Sequence, residues 1–236
     1  MLSGIKALTF DTFGTVVDWR TNIINDLSAY GSSRGLAVDW AAFVDEWKTA
    51  YKPGMDAVRK GRWPWTTIDG IYREALGRLA PRYGLDRLDE AALQHINRVW
   101  HRLLPWPDAA AGLARLKRKY LISTLSNGDV AMLANMAKHG GLPWDIILGG
   151  EIFRHYKPDA EVYLGAIQLL GCQPSEVMMV AAHNDDLKAA RSHGMRTAFV
   201  ARPTEYGPTQ NTNLQAAEAW DVIVNDFGEL ATALDA

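Results

Sequence analysis

The stretch LTFDTFGTVVD, residues 8–18, decides how this chain is read. A short apolar run, Lys6 to Phe10, ends on a lone aspartate, Asp11, and a Gly-Thr pair, Gly14 and Thr15, follows. Near-continuous apolar runs of this length suit strands covered on both faces, as in a parallel sheet. Gly14 can adopt backbone conformations closed to other residues, so the chain can turn sharply beneath Asp11. That turn would free the N–H groups of Thr12 and Phe13 to point at the aspartate, with Thr15 as its anchor. An isolated Asp after a strand is ordinarily an Asx turn or helix cap. Other strand ends must carry chemistry before it means more.

Five more apolar runs follow, at 120–125, 145–148, 177–182, 197–201 and 221–224, and each reads as a strand. Helical patterns lie among them at 108–118, 129–139, 159–170, 184–193 and 227–235. Such alternation predicts an α/β fold with a doubly wound, Rossmann-like parallel sheet. Residues 19–104 break the pattern. They hold amphipathic segments near 20–31, 39–59, 66–83 and 88–103 and no convincing strand, so an all-helical insertion is expected there. The core is then 1–18 with 105–236. Ligands of open parallel sheets bind beyond the carboxyl ends of the strands. An insertion leaving from that end would roof over such a site.

The totals narrow the function. The chain has 236 residues, 48% of them apolar, enough for a substantial core. A net charge of −2 argues against a general nucleic-acid binder. No apolar run approaches the roughly 18 residues of a membrane span, and the first residues run straight into a strand, so no signal peptide is expected. The single cysteine, Cys172, has no internal partner and reads as an inert thiol. A cytoplasmic protein is the expectation.

Three further strand ends carry polar groups. Ser126-Asn127-Gly128-Asp129 heads a helix, whose first N–H groups favour anions. Lys157-Pro158 opens another, where the helix dipole disfavours a cation. A surface lysine would be the plain reading; a lysine that faces carboxylates and keeps them ionised is the sharper one. The fourth, His183-Asn184-Asp185-Asp186, again joins strand to helix. Acids in a first helical turn are commonplace. Asp, Ser-Asn, Lys-Pro and Asp-Asp, each closing a strand in this order, are together specific.

In this order the motifs resemble the haloacid dehalogenase superfamily over the whole chain, with 19–104 as its helical cap domain. FDTFGT and LSNGD look most like the (S)-2-haloacid dehalogenase branch. Phosphatase members carry a second aspartate two residues after the nucleophile, to protonate the leaving group and organise magnesium. Here that residue is Phe13. Phosphoryl transfer needs charge neutralisation and often a proton. Halide leaves a carbon as a stable anion and needs neither, while an apolar neighbour desolvates the attacking carboxylate.

The resemblance implies that Asp11 attacks the halogen-bearing carbon and forms an ester, which water hydrolyses to the 2-hydroxy acid. It implies that Lys157 keeps Asp11 ionised, that Thr15 anchors the turn, and that Asp186, with Lys157, positions or deprotonates the water. Ser126 and the amides around Thr12, Phe13 and Asn127 would hold the substrate carboxylate, with Asn127 also near the halide; Tyr163 matches a tyrosine of the branch. No cofactor or metal is implied, and the partners are a small haloacid and a second copy in a homodimer. Two positions depart from the pattern. Lys48, in Trp47-Lys48, stands where the branch places a cap arginine, keeping charge without the planar fork. His183 stands among usually small residues, and as an extra donor for a small hydrated halide it would extend the range to fluoroacetate. Paired Asp185 and Asp186 look somewhat more like a magnesium-dependent phosphatase of small esters, the alternative reading. A catalytically idle binding protein on the same scaffold is a third.

Overall fold

The computed structural model describes Leu2 and residues 4–236. Five strands, β1 (Ala7–Phe10), β2 (Leu121–Thr124), β3 (Val177–Ala181), β4 (Arg196–Val200) and β5 (Val222–Val224), form one sheet in the order β2-β1-β3-β4-β5. Every pairing is parallel. Phe10 lies across from Thr124 on one side and Val180 on the other. The residues following β1, β2 and β3 therefore emerge along one edge. The chain order reverses between β1 and β3, which is where open sheets of this type open a crevice.

The run 145–148 does not become a sixth strand. It lies beside β2 through isolated bridges, Ser123 to Ile146 and Ser126 to Gly149. The reason is local: the Leu148 N–H donates to the Thr124 hydroxyl at 2.8 Å, so a side chain interrupts the backbone ladder.

Between β1 and β2 the chain forms α1 (Trp19–Arg34), α2 (Trp40–Lys48), α3 (Tyr51–Arg59), α4 (Ile68–Leu79) and α5 (Glu90–Asn97). Asp18, Asp39, Thr67 and Asp89 each accept an N–H at a helix start, satisfying donors that helices leave orphaned. The segment expected as one helix over 39–59 is two. At the break the Thr49 hydroxyl donates to the Glu46 carbonyl at 2.6 Å, a local bond that competes with helix continuation. The outgoing and returning chains meet at an antiparallel bridge between Val17 and Pro105.

Large aromatics pack the interior of this helical region. Trp19, Trp47, Tyr72 and Trp100 are fully buried together, and Tyr72 stacks on Trp100 with centroids 4.1 Å apart. The Trp47 indole N–H is satisfied by the Tyr72 carbonyl at 2.9 Å, as burial of a polar handle requires. The sheet's flanking helices are α6 (Ala109–Leu116), α7 (Val130–Gly140), α8 (Gly150–Phe153), α9 (Ala160–Leu169), α10 (Asn184–Ser192) and α11 (Phe227–Ala233). Among the described residues no helix is long and apolar enough to cross a membrane.

Candidate active site

Asp11 emerges from β1 and is 7% exposed. Its Oδ1 faces the Lys157 ammonium at 3.0 Å, and its Oδ2 accepts the Thr15 hydroxyl at 2.7 Å. Thr15 is oriented in turn by the Ala182 N–H, which donates to its Oγ1 at 2.9 Å. Lys157 also donates to Asp186 Oδ2, and the Tyr163 hydroxyl donates to Asp186 Oδ1 at 2.7 Å. Burial alone would raise the Asp11 carboxyl; the Lys157 charge, then His183 and Thr15, hold it well below the usual carboxylate range. Burial likewise opposes the charge on Lys157, but Asp11 and Asp186 keep it above the ordinary lysine value. Asp186 goes the other way. Burial and the neighbouring Asp11 charge outweigh Lys157 and raise it, as expected when two carboxylates share one cation and one of them has extra donors.

His183 lies on the far side of Asp11. Its Nδ1 is 3.1 Å from Asp11 Oδ2, and its Nε2 is 2.9 Å from Glu205 Oε2 and 3.1 Å from Oε1. Ionised carboxylate oxygens only accept, so both ring nitrogens donate and the ring is an imidazolium. Burial would lower the His183 pKa, but Glu205 and Asp11 push it up to about 10. Glu205 is 2% exposed and also accepts the Trp19 indole N–H at 3.1 Å. Its carboxyl presses on Gly14, where an added Cβ would come within 2.1 Å of it. Gly14 is thus required twice, by this close approach and by its φ of +84°. Arg202 ties the Glu205 loop to the same turn, donating to the Thr15 carbonyl at 2.9 Å while forking onto Asp108 at 2.7 and 2.8 Å.

The helical region supplies the opposite wall. The Lys48 ammonium sits over the Tyr51 ring, 4.1 Å from its centroid, and 5.0 Å from the Trp19 ring. Burial depresses Lys48 to about 8, against the pull of Glu205 and Asp11. Asn127 Oδ1 accepts the Lys157 N–H at 2.6 Å, and its Nδ2 donates to the Tyr51 hydroxyl at 3.0 Å. That leaves the Tyr51 proton available; burial pushes the phenol up to about 12, so it stays a donor. Arg59 clamps the Lys157 loop, donating to the carbonyls of Tyr156 and Lys157 at 2.9 and 2.6 Å and pairing with Asp159 at 2.9 Å.

These groups enclose a cavity of about 500 Å³. Asp11, Phe13, Lys48, Asn127, Lys157, Tyr163, His183 and Asp186 line it, as the motifs suggested. Thr12, Thr15 and Ser126 are buried behind that lining. The Ser126 hydroxyl accepts the Gly128 N–H at 3.2 Å, and that of Thr12 has no partner among the described residues. Among the described residues, the N–H groups of Thr12, Phe13 and Asn127 make no hydrogen bond, and such a group of free amides favours an anion. Sequence reasoning missed Glu205, Tyr51 and Arg59. The one available signal for Glu205 was an acid beside an aromatic in a Gly-Pro loop, which is too common to act on.

The family model for haloacid dehalogenase-like hydrolases matches residues 5–194, most of the chain. The chain belongs to the haloacid dehalogenase-like hydrolases. A crystal structure titled the L-2-haloacid dehalogenase PA0810 shares 49% identity, with a TM-score of 0.96 and coverage of 98% of this chain and 99% of that one. The defluorinating L-2-haloacid dehalogenase Rha0230 is 44% identical, with a TM-score of 0.95 and coverage of 98% and 96%. Among curated proteins, an (S)-2-haloacid dehalogenase of Xanthobacter autotrophicus is 32% identical over 203 residues, 84% of this chain and 76% of that protein. Magnesium in this hydrolase family would call for a second carboxylate two residues after Asp11. Phe13 stands there instead, edge-on to Trp100 with centroids 5.9 Å apart, and the Lys157 ammonium bridges Asp11 and Asp186. Asp185 is exposed, and among the described residues no group of three or more His, Cys, Asp or Glu is arranged to hold a metal. These residues do not fit a magnesium ion.

Proposed function

We propose that this protein hydrolyses the carbon–halogen bond of short 2-haloalkanoic acids, including chloroacetate, (S)-2-chloropropionate and fluoroacetate, giving 2-hydroxy acids through an ester on Asp11. The observation that carries the proposal is a buried carboxylate held ionised by Lys157, with an apolar ring where a phosphatase needs an acid. The substrate carboxylate is received by the N–H groups of Thr12, Phe13 and Asn127. The halide points at Lys48, Tyr51 and Asn127, and the carbon between them meets Asp11 in line. Water then attacks the ester carbonyl, with Asp186 taking its proton while Tyr163 orients Asp186. His183 is a poor halide ligand, because both its nitrogens already serve carboxylates, so the fluoroacetate reading is supported by the likeness to the defluorinating dehalogenase Rha0230 and not by this residue. The free ammonium of Lys48 is the better-placed cation. Residues 19–104 act as the cap that excludes water, hinged where Val17 meets Pro105. A cytoplasmic homodimer belongs to the same proposal and is read by sedimentation.

The test is halide release from chloroacetate, fluoroacetate and each enantiomer of 2-chloropropionate, with and without EDTA. A single turnover in water enriched in oxygen-18 should place the label in the Asp11 side chain. Strict magnesium dependence, or repeated turnover leaving Asp11 unlabelled, would refute the proposal. The chelator arm also separates it from phosphatase chemistry.

A further inference from the structure

The two oxygens of Asp11 stand in different surroundings. Oδ1 faces one donor, Lys157, and keeps a lone pair for attack. Oδ2 is held by two donors, the Thr15 hydroxyl at 2.7 Å and His183 Nδ1 at 3.1 Å. Attack through Oδ1 therefore makes Oδ2 the carbonyl oxygen of the ester. When water adds to the carbonyl carbon, that oxygen takes the negative charge. Its two donors already lie within the roughly 2.7–3.1 Å at which oxyanion-hole donors act.

Resting on the haloacid reading, we propose that Thr15 and His183 form the oxyanion hole for hydrolysis of the Asp11 ester, and that Glu205 is the positioning residue that keeps His183 a double donor. The step balances without any added reagent. Water oxygen bonds to Cγ, its first proton passes to Asp186, and the carbonyl pair moves onto Oδ2 between Thr15 and His183. On collapse the Cγ–Oδ1 bond breaks and its electron pair leaves with Oδ1. That oxygen takes a proton from Lys157, which is replenished from Asp186. The second water proton departs as the Asp11 carboxylate re-forms, so the sum is haloacid plus water giving hydroxy acid, halide and a proton.

Charge balance supports the assignment. Asp11, Asp186 and Glu205 are each set against cations of the same cavity, Lys157, His183 and Lys48, while Asp185, Lys52 and Arg59 stand farther out on its wall. A neutral His183 would have one N–H to share between Asp11 and Glu205, so one of two buried carboxylates would lose a donor, a costly state for a carboxylate. The pH readout below must allow for the groups facing the imidazole, Asp11 after β1 and Glu205 after β4, and for Tyr206 and Lys48, which line the same cavity. Lys157 and Asp186 act on it through Asp11.

The experiment compares the wild type with Glu205→Gln and His183→Ala, mixed rapidly with excess (S)-2-chloropropionate. Halide is followed in time, and quenched protein is weighed by mass spectrometry. Both variants should release halide in a burst slowed far less than the later turnover, because Lys157 still holds Asp11 ionised. Steady turnover should then slow by about a hundredfold to a thousandfold, the usual loss for one oxyanion donor. The ester should accumulate on the peptide carrying Asp11. In Glu205→Gln the slow step should also lose rate towards neutral pH, because the imidazole no longer holds its second proton, and His183→Asn should regain part of what His183→Ala loses. A slowed burst with no trapped ester, or two unchanged steps, would overturn the proposal. If Glu205→Gln fails to fold, the His183 variants give the same answer. Absence of halide release by the wild type would instead defeat the haloacid reading, and the oxyanion assignment with it.

Discussion

Replacing Lys157 with methionine tests the electrostatics of the site most directly, because the side chain keeps its length and loses its charge. The ammonium lies 3.0 Å from Asp11 Oδ1, with both groups nearly inaccessible to water. At that separation, and with an effective dielectric constant of about 20, the attraction is at most about 5 kcal/mol. That corresponds to roughly three to four powers of ten in the acidity of Asp11. Without it, Asp11 and Asp186 are two buried carboxylates with one fewer cation, and the pair would hold a proton to higher pH than in the wild type. The sign follows from Asp11 being held low in the wild type. Its ionised form is favoured there down to acid pH, whereas in the variant ionisation would require a higher pH. Halide release by Lys157→Met should lose most at acid pH and recover as the pH rises, with an acid limb about three to four pH units above that of the wild type. Thermal unfolding run in parallel should register the cost of breaking a buried pair, about 3–5 kcal/mol. An acid limb that does not move would refute the reasoning.

Lys48, depressed to about 8, should lose its charge above that pH, so kcat/KM should fall on the alkaline side through a rise in KM. Lys48→Arg, which keeps its charge at any such pH, should abolish the limb; its persistence would show that another group titrates. Phe13→Asp places an unpaired carboxylate against Trp100 and removes a packed ring, a loss of about 3–5 kcal/mol or more in stability. Calorimetry should register that loss, and a folded variant with undiminished halide release would contradict the role given to the apolar neighbour. Tyr163→Phe removes the 2.7 Å hydrogen bond to Asp186, a charged acceptor worth about 1.5–3 kcal/mol. Ester hydrolysis should slow by roughly tenfold to a hundredfold while the halide burst stays intact; a slowed burst would move Tyr163 to the first step.

Asp11 and Asp186 were legible in the sequence for one physical reason. Each follows a strand of a parallel sheet, and such strands bring their carboxyl ends to one edge, so the two could be expected to converge before any contact was known. Lys157 follows α8 instead, and only a cation placed unfavourably at a helix start marked it. The same logic overreached at 145–148. Apolar composition marks a segment that will be covered, but the Thr124 hydroxyl that interrupts its ladder is a matter of local geometry. Nor does a helical period reveal where a threonine will bond back to its own helix, so 39–59 read as one helix and folded as two. His183 could be seen, but its charge could not, because the charge depends on Glu205, 22 residues away on a loop with no periodic signal. The motifs alone thus picked out the carboxylate proposed as the nucleophile and the cation beside it. Only tertiary packing decided which groups hold the second oxygen of that nucleophile, because Arg202 ties the Glu205 loop down and Gly14 leaves room for the carboxyl to approach.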